Sequence, residues 1–124
     1  MYRVYVAGKY NDSNVIDVLD NIRLGIEVGC NLLERGYAPF VPFLDFQFGL
    51  VRRFEVEEYK RYSMAWVDVC DAVFLLRSGE RSEGAKAEVE HAHILGIPIF
   101  TTMTALDNWR SMKEAIGEKA RTQS

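Results

Sequence analysis

Apolar and polar residues recur along this chain with two different periods. Short runs of β-branched and aromatic residues are typical of strands, and longer segments with apolar residues every three or four positions are typical of helices. The two patterns alternate, which predicts parallel strands joined by crossover helices. We therefore expect one α/β domain over residues 1–124, with a three-layer Rossmann or flavodoxin-like fold and a sheet of four to five parallel strands. The strands predicted by this pattern are residues 2–7, 37–42, 72–76 and 97–100.

The first helical segment is the longest and extends to about Arg35. Its apolar residues form one stripe, and Gly36 is typical of a helix C-terminus. Gly25 and Gly29 are one turn apart and predict a close approach to a neighbouring element. The second half of this helix is also a candidate subunit interface. The stripe consists of Val15, Leu19, Ile22, Ile26 and Leu33.

Three further helices are predicted: residues 56–69, a segment from Ser82 to a stop at Gly96, and a C-terminal segment from about Leu106. Residues 43–49 are predicted to form a loop that is unusually rich in aromatic side chains. Phe43, Phe46 and Phe48 of this loop could stack on a base, or could equally be buried against helices or a second subunit.

The amino-acid composition limits the classes of molecule that this protein is expected to bind. A hydrophobic content of 48% and a charged content of 27% are normal for a soluble globular domain. The net charge of −3 and the pI near 5.4 argue against a surface that coats nucleic acid, but allow a local pocket for one phosphate. Because no secretory leader and no membrane span are visible, we expect a cytoplasmic location and no membrane partner.

The cysteines and histidines do not suggest a metal site. Cys30 and Cys70 are far apart in apolar stretches, so we expect two buried, reduced thiols. His91 and His93 lack the spacing and the cysteine partners of a zinc site. His91 follows Glu88 by one turn and could donate a hydrogen bond, although a solvated histidine is the commoner case.

Glu88 is the main candidate for chemistry. In the helix that follows the most apolar strand, Glu88 shares one face with Ala85, Ala92 and Leu95. A carboxylate on a face that should pack against the sheet is costly unless it has a partner, so we interpret it as retained for function. The alternative is a glutamate in the first turns of the helix that tilts toward solvent.

The start of the same helix is a candidate anion site. Free backbone N–H groups and the helix dipole attract anions, and Ser82 could add a hydroxyl donor. Arg77 or Arg81 could add a positive charge. The alternative is that Ser82 only caps the helix. Ligands bind at the carboxyl ends of the strands in such folds, so this segment and the loops after Ala7, Pro42 and Phe100 should share one edge.

Other motifs are weak or missing. The turn Gly8-Lys9-Tyr10-Asn11 is neither a dinucleotide-binding fingerprint nor a Walker sequence. Tyr5 lies on the strand leading to the same edge, where it could line the site or be a core residue. No serine elbow suggests acyl transfer. A carboxylate beside a phosphate site could attack an anomeric carbon through an oxocarbenium-like transition state.

The sequence resembles the nucleoside 2-deoxyribosyltransferase superfamily, close to the 2′-deoxynucleoside 5′-monophosphate N-glycosidases and to related, often phage-borne, domains. The resemblance covers nearly the whole chain, and the segment Ser82-x-Gly84-Ala85-x-Ala87-Glu88 is its most specific part. The other matching segments are Tyr5-Val6-Ala7-Gly8, Gly36-Tyr37-Ala38-Pro39-Phe40 with Pro42, Cys70-Asp71-Ala72-Val73 and Gly96-Ile97-Pro98-Ile99.

The resemblance implies roles for individual residues. Glu88 would be the nucleophile that attacks C1′ of the sugar, and Ser82, with N–H groups near Gly84, would contact the 5′-phosphate. Gly8 would form the turn under the sugar phosphate, and Tyr5 would line the site near the nucleophile. The nucleoside transferases tend to carry aspartate at the Ser82 position, so Ser82 favours a nucleotide hydrolase.

Two positions depart from the family pattern. Members usually carry Gly-Pro-x-Arg after the first strand, whereas this chain has Gly8-Lys9-Tyr10-Asn11, so Lys9 would replace the arginine as a point charge. Ser63 stands where many members carry an aspartate that helps to position the sugar. A different substrate, or a domain that binds a nucleotide without cleaving it, would explain both changes.

The sequence therefore predicts an enzyme that hydrolyses the N-glycosidic bond of a (deoxy)nucleoside 5′-monophosphate without a metal or organic cofactor. Tyr5, Tyr10 and the aromatic loop would frame the sugar and base. The alternatives are a transferase that exchanges bases and a nucleotide-binding module without catalysis. By the resemblance, the protein would form a homodimer or a higher homo-oligomer and would bind a small nucleotide or nucleoside, not a nucleic-acid polymer. The sequence leaves the base and the sugar open.

Overall fold

The computed structural model describes residues 1–42 and 44–123, without the side chains of residues 44–46 and 118–123. Its single parallel sheet has the strand order β2-β1-β3-β4. The strands are β1 (Arg3–Ala7), β2 (Ala38–Phe40), β3 (Ala72–Leu75) and β4 (Ile99–Phe100). The helices are α1 (Val15–Glu34), α2 (Leu44–Gly49), α3 (Val56–Val67), α4 (Glu83–Ile94) and α5 (Met103–Gln123). The predicted flavodoxin-like α/β fold is confirmed, with four strands in the described residues.

Alternation along β1 distributes its side chains between two cores. Val4 and Val6 belong to a core with residues of α1 and α5, whereas Tyr5 and Ala7 belong to a core with residues of α3 and α4. Successive residues of a strand point to opposite faces, so the one sheet is covered on both sides. All four of these β1 residues are fully buried. The central strand therefore holds the three layers together.

Gly36 and Gly96 end α1 and α4 as the sequence predicts. Their φ angles are +90° and +74°, in the left-handed region that favours glycine. The N–H of Gly36 donates to the Leu33 carbonyl and that of Tyr37 to the Leu32 carbonyl, which is the Schellman pattern. These caps turn the chain directly into the next strand.

The apolar stripe predicted on α1 does not face the sheet. The buried residues of α1 are Gly25, Gly29 and Leu32. A Cβ on Gly29 would lie 2.8 Å from Cγ2 of Val41, so the glycine side makes the close approach that the sequence predicts. The period of the apolar residues does not determine which of two adjacent faces of a helix is buried. In α1 the face that carries Gly25 and Gly29 is buried, because small residues allow a close approach to the neighbouring element. The exposed fractions of the stripe are 61% for Val15, 44% for Leu19, 52% for Ile26 and 61% for Leu33.

Three smaller predictions also change. Residues 44–49, predicted to be part of a loop, form α2, whereas Phe43 and the side chain of Phe46 lie outside the described residues. α5 begins at Met103, earlier than predicted, because the Thr102 hydroxyl oxygen accepts from the N–H of Ala105 and caps it. Cys70 is buried as expected, but Cys30 is exposed on α1.

A cluster of polar residues fixes α5 to the C-terminus of α1. The buried Tyr37 donates its hydroxyl to Asp107 at 2.7 Å, and Asp107 also pairs with Arg35. Arg110 lies over the Tyr37 ring, 4.2 Å from its centroid, and donates to the Arg35 carbonyl at 2.6 Å. Burial and the Asp107 hydrogen bond raise the pKa of Tyr37, and the same hydrogen bond, with Arg35, lowers the pKa of Asp107. None of the helices among the described residues has the length and apolar character that a membrane span requires.

Candidate functional site

The strand order places the candidate site between β1 and β3. The helix that follows β1 covers one face of the sheet, and α4, which follows β3, covers the other. At such a switch point the two outgoing loops diverge and leave a crevice at the carboxyl ends of the strands. The loops concerned are residues 8–14 after β1 and residues 76–82 after β3, the latter containing a 3₁₀ helix (Arg77–Arg81).

Two glycines bring these loops into direct contact. A Cβ on Gly79 would lie 3.1 Å from Cα of Gly8 and 3.2 Å from Cβ of Ala85. A Cβ on Gly8 would lie 2.6 Å from Cδ1 of Leu76, too close for any side chain without a shift. The N–H of Lys9 also lies 3.4 Å from the Ser78 hydroxyl oxygen. The start of α4 is therefore held against the turn that follows β1.

The loop after β1 is ordered mostly by contacts between its own residues. Lys9 forms an ion pair with Asp12 at 3.2 Å, and the pKa of Asp12 is lowered by the backbone N–H of Ser13 and by Lys9. The Asn11 side-chain oxygen accepts from the N–H of Asp12 at 3.0 Å. The Tyr10 carbonyl accepts from Asn21 of α1 at 3.3 Å. Lys9 remains 40% exposed, so its ammonium group keeps access to a ligand.

Ser82 caps α4. Its hydroxyl oxygen lies 3.3 Å from the N–H of Ala85 and accepts from it. The hydroxyl proton can still be donated to a ligand, and the other first-turn N–H groups have no carbonyl acceptor within the helix. A Cβ on Gly84 would meet only the Ser82 hydroxyl oxygen, at 3.9 Å, so the space beside this helix start is open. An anion could be held here.

Glu88 lies on the buried side of α4, as the sequence predicts for this stripe. Ala85 and Ala92 are 1% and 0% exposed, and Glu88 between them is half-buried. Leu95, the fourth residue of the predicted stripe, follows the helix and is exposed. Ser82 and Glu88 are six positions apart, which corresponds to about 9 Å along the helix axis. The carboxylate therefore lies less than two helical turns from the candidate phosphate site.

Tyr5 and Ser63 lie deeper than the other candidate residues. Tyr5 is fully buried and its ring stacks on Phe40, with centroids 5.7 Å apart. Phe40 in turn stacks on Trp66 of α3 at 4.6 Å. Ser63 is 6% exposed on the inner side of α3. In this conformation both side chains are buried and neither is exposed to a ligand. Tyr5 would therefore act on the site only by positioning the groups that pack against it.

Several side chains singled out in the sequence have other partners. His91 Nε2 lies 2.5 Å from Asp68 Oδ1, so His91 joins α4 to the end of α3. Phe48 packs edge-on against Tyr62 at 5.6 Å, which favours its burial against helices over stacking on a base. Within the part of the chain that the structure describes, no three side chains of the types that bind metals lie together.

The sequence interpretation did not single out Ser78 or Gly79. A glycine in the short segment between a strand and a helix signals close backbone approach, and that signal was present. Its partner, Gly8, is 71 positions away, and only the pairing of β1 with β3 brings the two together.

The sheet topology, the apposed glycine loops and the capped helix at the switch point define the class of this protein as a flavodoxin-like α/β domain. Residues 2–101 match the model of the family described as "Domain of unknown function (DUF4406)". The chain belongs to that family, and α5 lies beyond the matched residues.

Among solved structures, the fold is similar to a 2-deoxyribosyltransferase from the psychrotolerant bacterium Bacillus psychrosaccharolyticus. The TM-score is 0.57 and the sequence identity is 14%, with 78% of this chain and 69% of the other chain covered. The resemblance predicted from the sequence is thereby confirmed at the level of the fold. No curated protein matches this chain.

Proposed function

We propose that this protein hydrolyses the N-glycosidic bond of a (deoxy)nucleoside 5′-monophosphate, with Glu88 as the nucleophile. The observation that carries the proposal is a half-buried glutamate on the inner face of α4, two turns after an open, serine-capped helix start. This pair lies in a fold similar to that of a 2-deoxyribosyltransferase. A carboxylate and an anion site at that spacing fit a substrate that carries an anomeric carbon and a phosphate.

The phosphate would bind at the start of α4. The Ser82 hydroxyl would donate to one phosphate oxygen, and the N–H groups of Glu83 and Gly84 would donate to others. Lys9 would supply a positive charge from the loop after β1, exchanging its ion pair with Asp12 for the phosphate. Tyr10 and Asn11 would lie beside the sugar on the same loop. Gly8 would keep the turn close to the sheet, so that the substrate has room above it.

The reaction would proceed in two displacements. A carboxylate oxygen of Glu88 attacks C1′, the bond from C1′ to the base nitrogen breaks, and the base leaves with the electron pair and takes a proton from water. Water then attacks C1′ of the glycosyl-enzyme, the bond to Glu88 breaks, and the water proton passes to solvent. The products are the free base and the sugar 5-phosphate. Buried Tyr5 and Ser63 would position the sheet and α3 around this centre.

The two alternatives differ in what happens at C1′. In a transferase, a second base instead of water would attack the glycosyl-enzyme. In a binding module, the nucleotide would be held without cleavage. Two departures from the family pattern favour this hypothesis, at Ser63 and at Asn11. A serine at position 82, where the nucleoside transferases tend to carry aspartate, favours a phosphorylated substrate over a nucleoside.

Product analysis tests the proposal. The protein is incubated with deoxynucleoside and ribonucleoside monophosphates and with the matching nucleosides, each with and without a second free base. We expect free base and sugar phosphate from at least one monophosphate, and no product with Glu88→Gln. A new nucleoside or nucleotide containing the second base would favour the transferase. Binding of a nucleotide without base release, at equal affinity in the wild type and Glu88→Gln, would overturn the catalytic proposal.

A further inference from the structure

We infer that a small pocket beside α3 binds a methylated ammonium group, such as that of choline or of a trimethylated lysine. We call it the aromatic pocket. It has a volume of about 220 Å³, and four aromatic rings and one carboxylate line it. It shares no residue with the pair Glu88 and Ser82, so the inference is independent of the proposed activity. The lining residues are Phe48, Phe54, Glu58, Tyr59 and Tyr62.

The walls of the aromatic pocket come from α3 and from two rings that pack on it. Glu58 and Tyr59 lie four and three positions before Tyr62, so their side chains are neighbours on the surface of α3. Phe54 packs on Tyr59, with ring centroids 6.0 Å apart and planes at 75°. Phe48 packs on Tyr62 at 5.6 Å and 82°. Because each pair of rings meets at nearly a right angle, the pocket has aromatic walls in more than one direction.

The electrostatic character of the pocket favours a cation. The face of an aromatic ring is negative and attracts a cation within about 6 Å of its centroid, and a carboxylate adds a full negative charge. Among the residues that the structure describes, no cation is ion-paired with Glu58, and Lys60 of the same helix pairs with Glu57 at 3.7 Å instead. The Glu58 carboxylate is therefore available to a ligand, and it would repel an anion such as a phosphate.

The rings favour a methylated ammonium group over a plain one. A plain ammonium group is strongly hydrated and carries three N–H donors, which aromatic rings satisfy poorly. A methylated ammonium group keeps the charge and presents methyl groups, whose burial against the rings is favourable. A volume of about 220 Å³ is below the range of roughly 300–1,000 Å³ for drug-sized ligands, so the pocket suits one compact group.

A pair of ligands that differ only in charge tests the inference. The protein is titrated with choline and with 3,3-dimethylbutan-1-ol, which has the same shape but no charge, and amide shifts are followed by NMR. We expect choline to shift amides of residues 48–62 and to bind at least about tenfold more tightly than the alcohol. Equal affinity for the two ligands, or no shift in this segment at about 50 mM choline, would overturn the inference.

Two substitutions separate the carboxylate from the rings. Glu58→Gln should weaken choline binding about fivefold and leave the alcohol unchanged, whereas Glu57→Gln, its exposed neighbour on α3, is the matched control and should change neither. Phe54→Leu keeps an apolar side chain but removes a ring face, so it should weaken choline about threefold more than the alcohol. Thermal unfolding checks that each variant is folded. Equal effects of the two glutamate variants, or of Phe54→Leu on the two ligands, would contradict a cation site.

A peptide titration identifies the source of the methylated ammonium group. The same short peptide is prepared with trimethyllysine and with unmodified lysine, and binding is measured by fluorescence anisotropy. Binding of the trimethylated peptide at least about tenfold more tightly than choline would assign the pocket to a methylated protein, and weaker binding would assign it to a free small molecule. Binding of both peptides with equal affinity would overturn the requirement for methyl groups and with it the inference.

Discussion

The two ends of the parallel sheet are held together in different ways. At the amino ends of the strands, long-range polar contacts join distant elements: Asp71 accepts from the N–H of Arg3 at 2.7 Å, and Asp107 joins α5 to Tyr37. At the carboxyl ends, most side-chain hydrogen bonds stay within three residues, as in the contacts of Asn11 and Ser82. The first end stabilises the fold, whereas the second leaves its polar groups able to exchange partners with a ligand.

This difference has a physical cause. A long-range contact closes a large loop of chain and fixes two elements relative to each other, so losing it loosens the whole domain. A local contact orders only its own turn, and its loss costs little elsewhere. Substitutions at the amino end should therefore change stability, and substitutions at the carboxyl end should change binding or catalysis.

The largest effect is expected at Glu88. Glu88→Gln removes the proposed nucleophile but keeps size and hydrogen-bonding capacity, so base release should fall by at least about 10³-fold while thermal unfolding changes little. Glu90→Gln is the matched control, because Glu90 is exposed on the same helix. Rates are measured by chromatographic detection of free base. Equal activity of both variants would remove Glu88 from the mechanism.

At the amino end, Asp107→Ala should cost about 3 kcal/mol of stability, because it leaves the buried Tyr37 hydroxyl without its acceptor and Arg35 without its counter-charge. Glu57→Ala, which removes an exposed pair with Lys60, should cost less than about 0.5 kcal/mol. Urea unfolding followed by circular dichroism measures both. A loss of less than about 1 kcal/mol of unfolding free energy in Asp107→Ala would contradict the proposed difference between the amino and carboxyl ends of the sheet.

The carboxylate of Asp107 should also make the stability of the protein sensitive to acid. Its pKa in the folded protein is below that of the unfolded chain, first because of the Tyr37 hydrogen bond and then because of Arg35. Its contribution is therefore complete above the unfolded-chain pKa of about 3.9 and is lost as the pH falls through the folded-state pKa. Between pH 5 and pH 2.5 the wild type should lose more stability than Asp107→Asn. Parallel loss in both would show that other carboxylates dominate.

Two helix caps allow a finer comparison. Ser82→Ala and Thr102→Ala each remove a side-chain cap, of α4 and α5 respectively, and each should cost about 1 kcal/mol. Only Ser82→Ala should also raise KM for a nucleoside monophosphate, by about tenfold, because only Ser82 is proposed to bind the phosphate. Steady-state kinetics separates the two effects. An unchanged KM in Ser82→Ala would mean that Ser82 caps α4 and does not bind the phosphate.

The smallest effect concerns the two thiols. Burial raises the pKa of the Cys70 thiol to about 11, whereas Cys30 is exposed on α1. A thiol reagent at pH 7.5 should therefore modify one cysteine per native chain quickly and the second only on unfolding. Mass spectrometry of the modified protein identifies which cysteine reacts. Fast modification of Cys70 would mean that the core at the start of β3 opens readily.

Much of the fold followed from local sequence. The strands were predictable because short runs of apolar β-branched residues favour the extended conformation. The helix ends at Gly36 and Gly96 were predictable because glycine adopts the left-handed region at a lower conformational cost than other residues. The prediction of a loop was wrong for residues 44–49, since an aromatic-rich segment with one glycine has no strong local preference. The candidate residues Glu88 and Ser82 were found from their place on one helix, and their proposed roles stay predictions.

The sequence by itself determined the alternation of strands and helices, the glycine stops and the polar residues at the start of α4, because each depends on neighbours a few positions away. The tertiary structure decided which face of α1 is buried, that Gly8 meets Gly79, and that Tyr37 meets Asp107. These contacts join residues far apart in the chain. Their energies depend on how strands pair and how closely helices approach, and no local pattern encodes either.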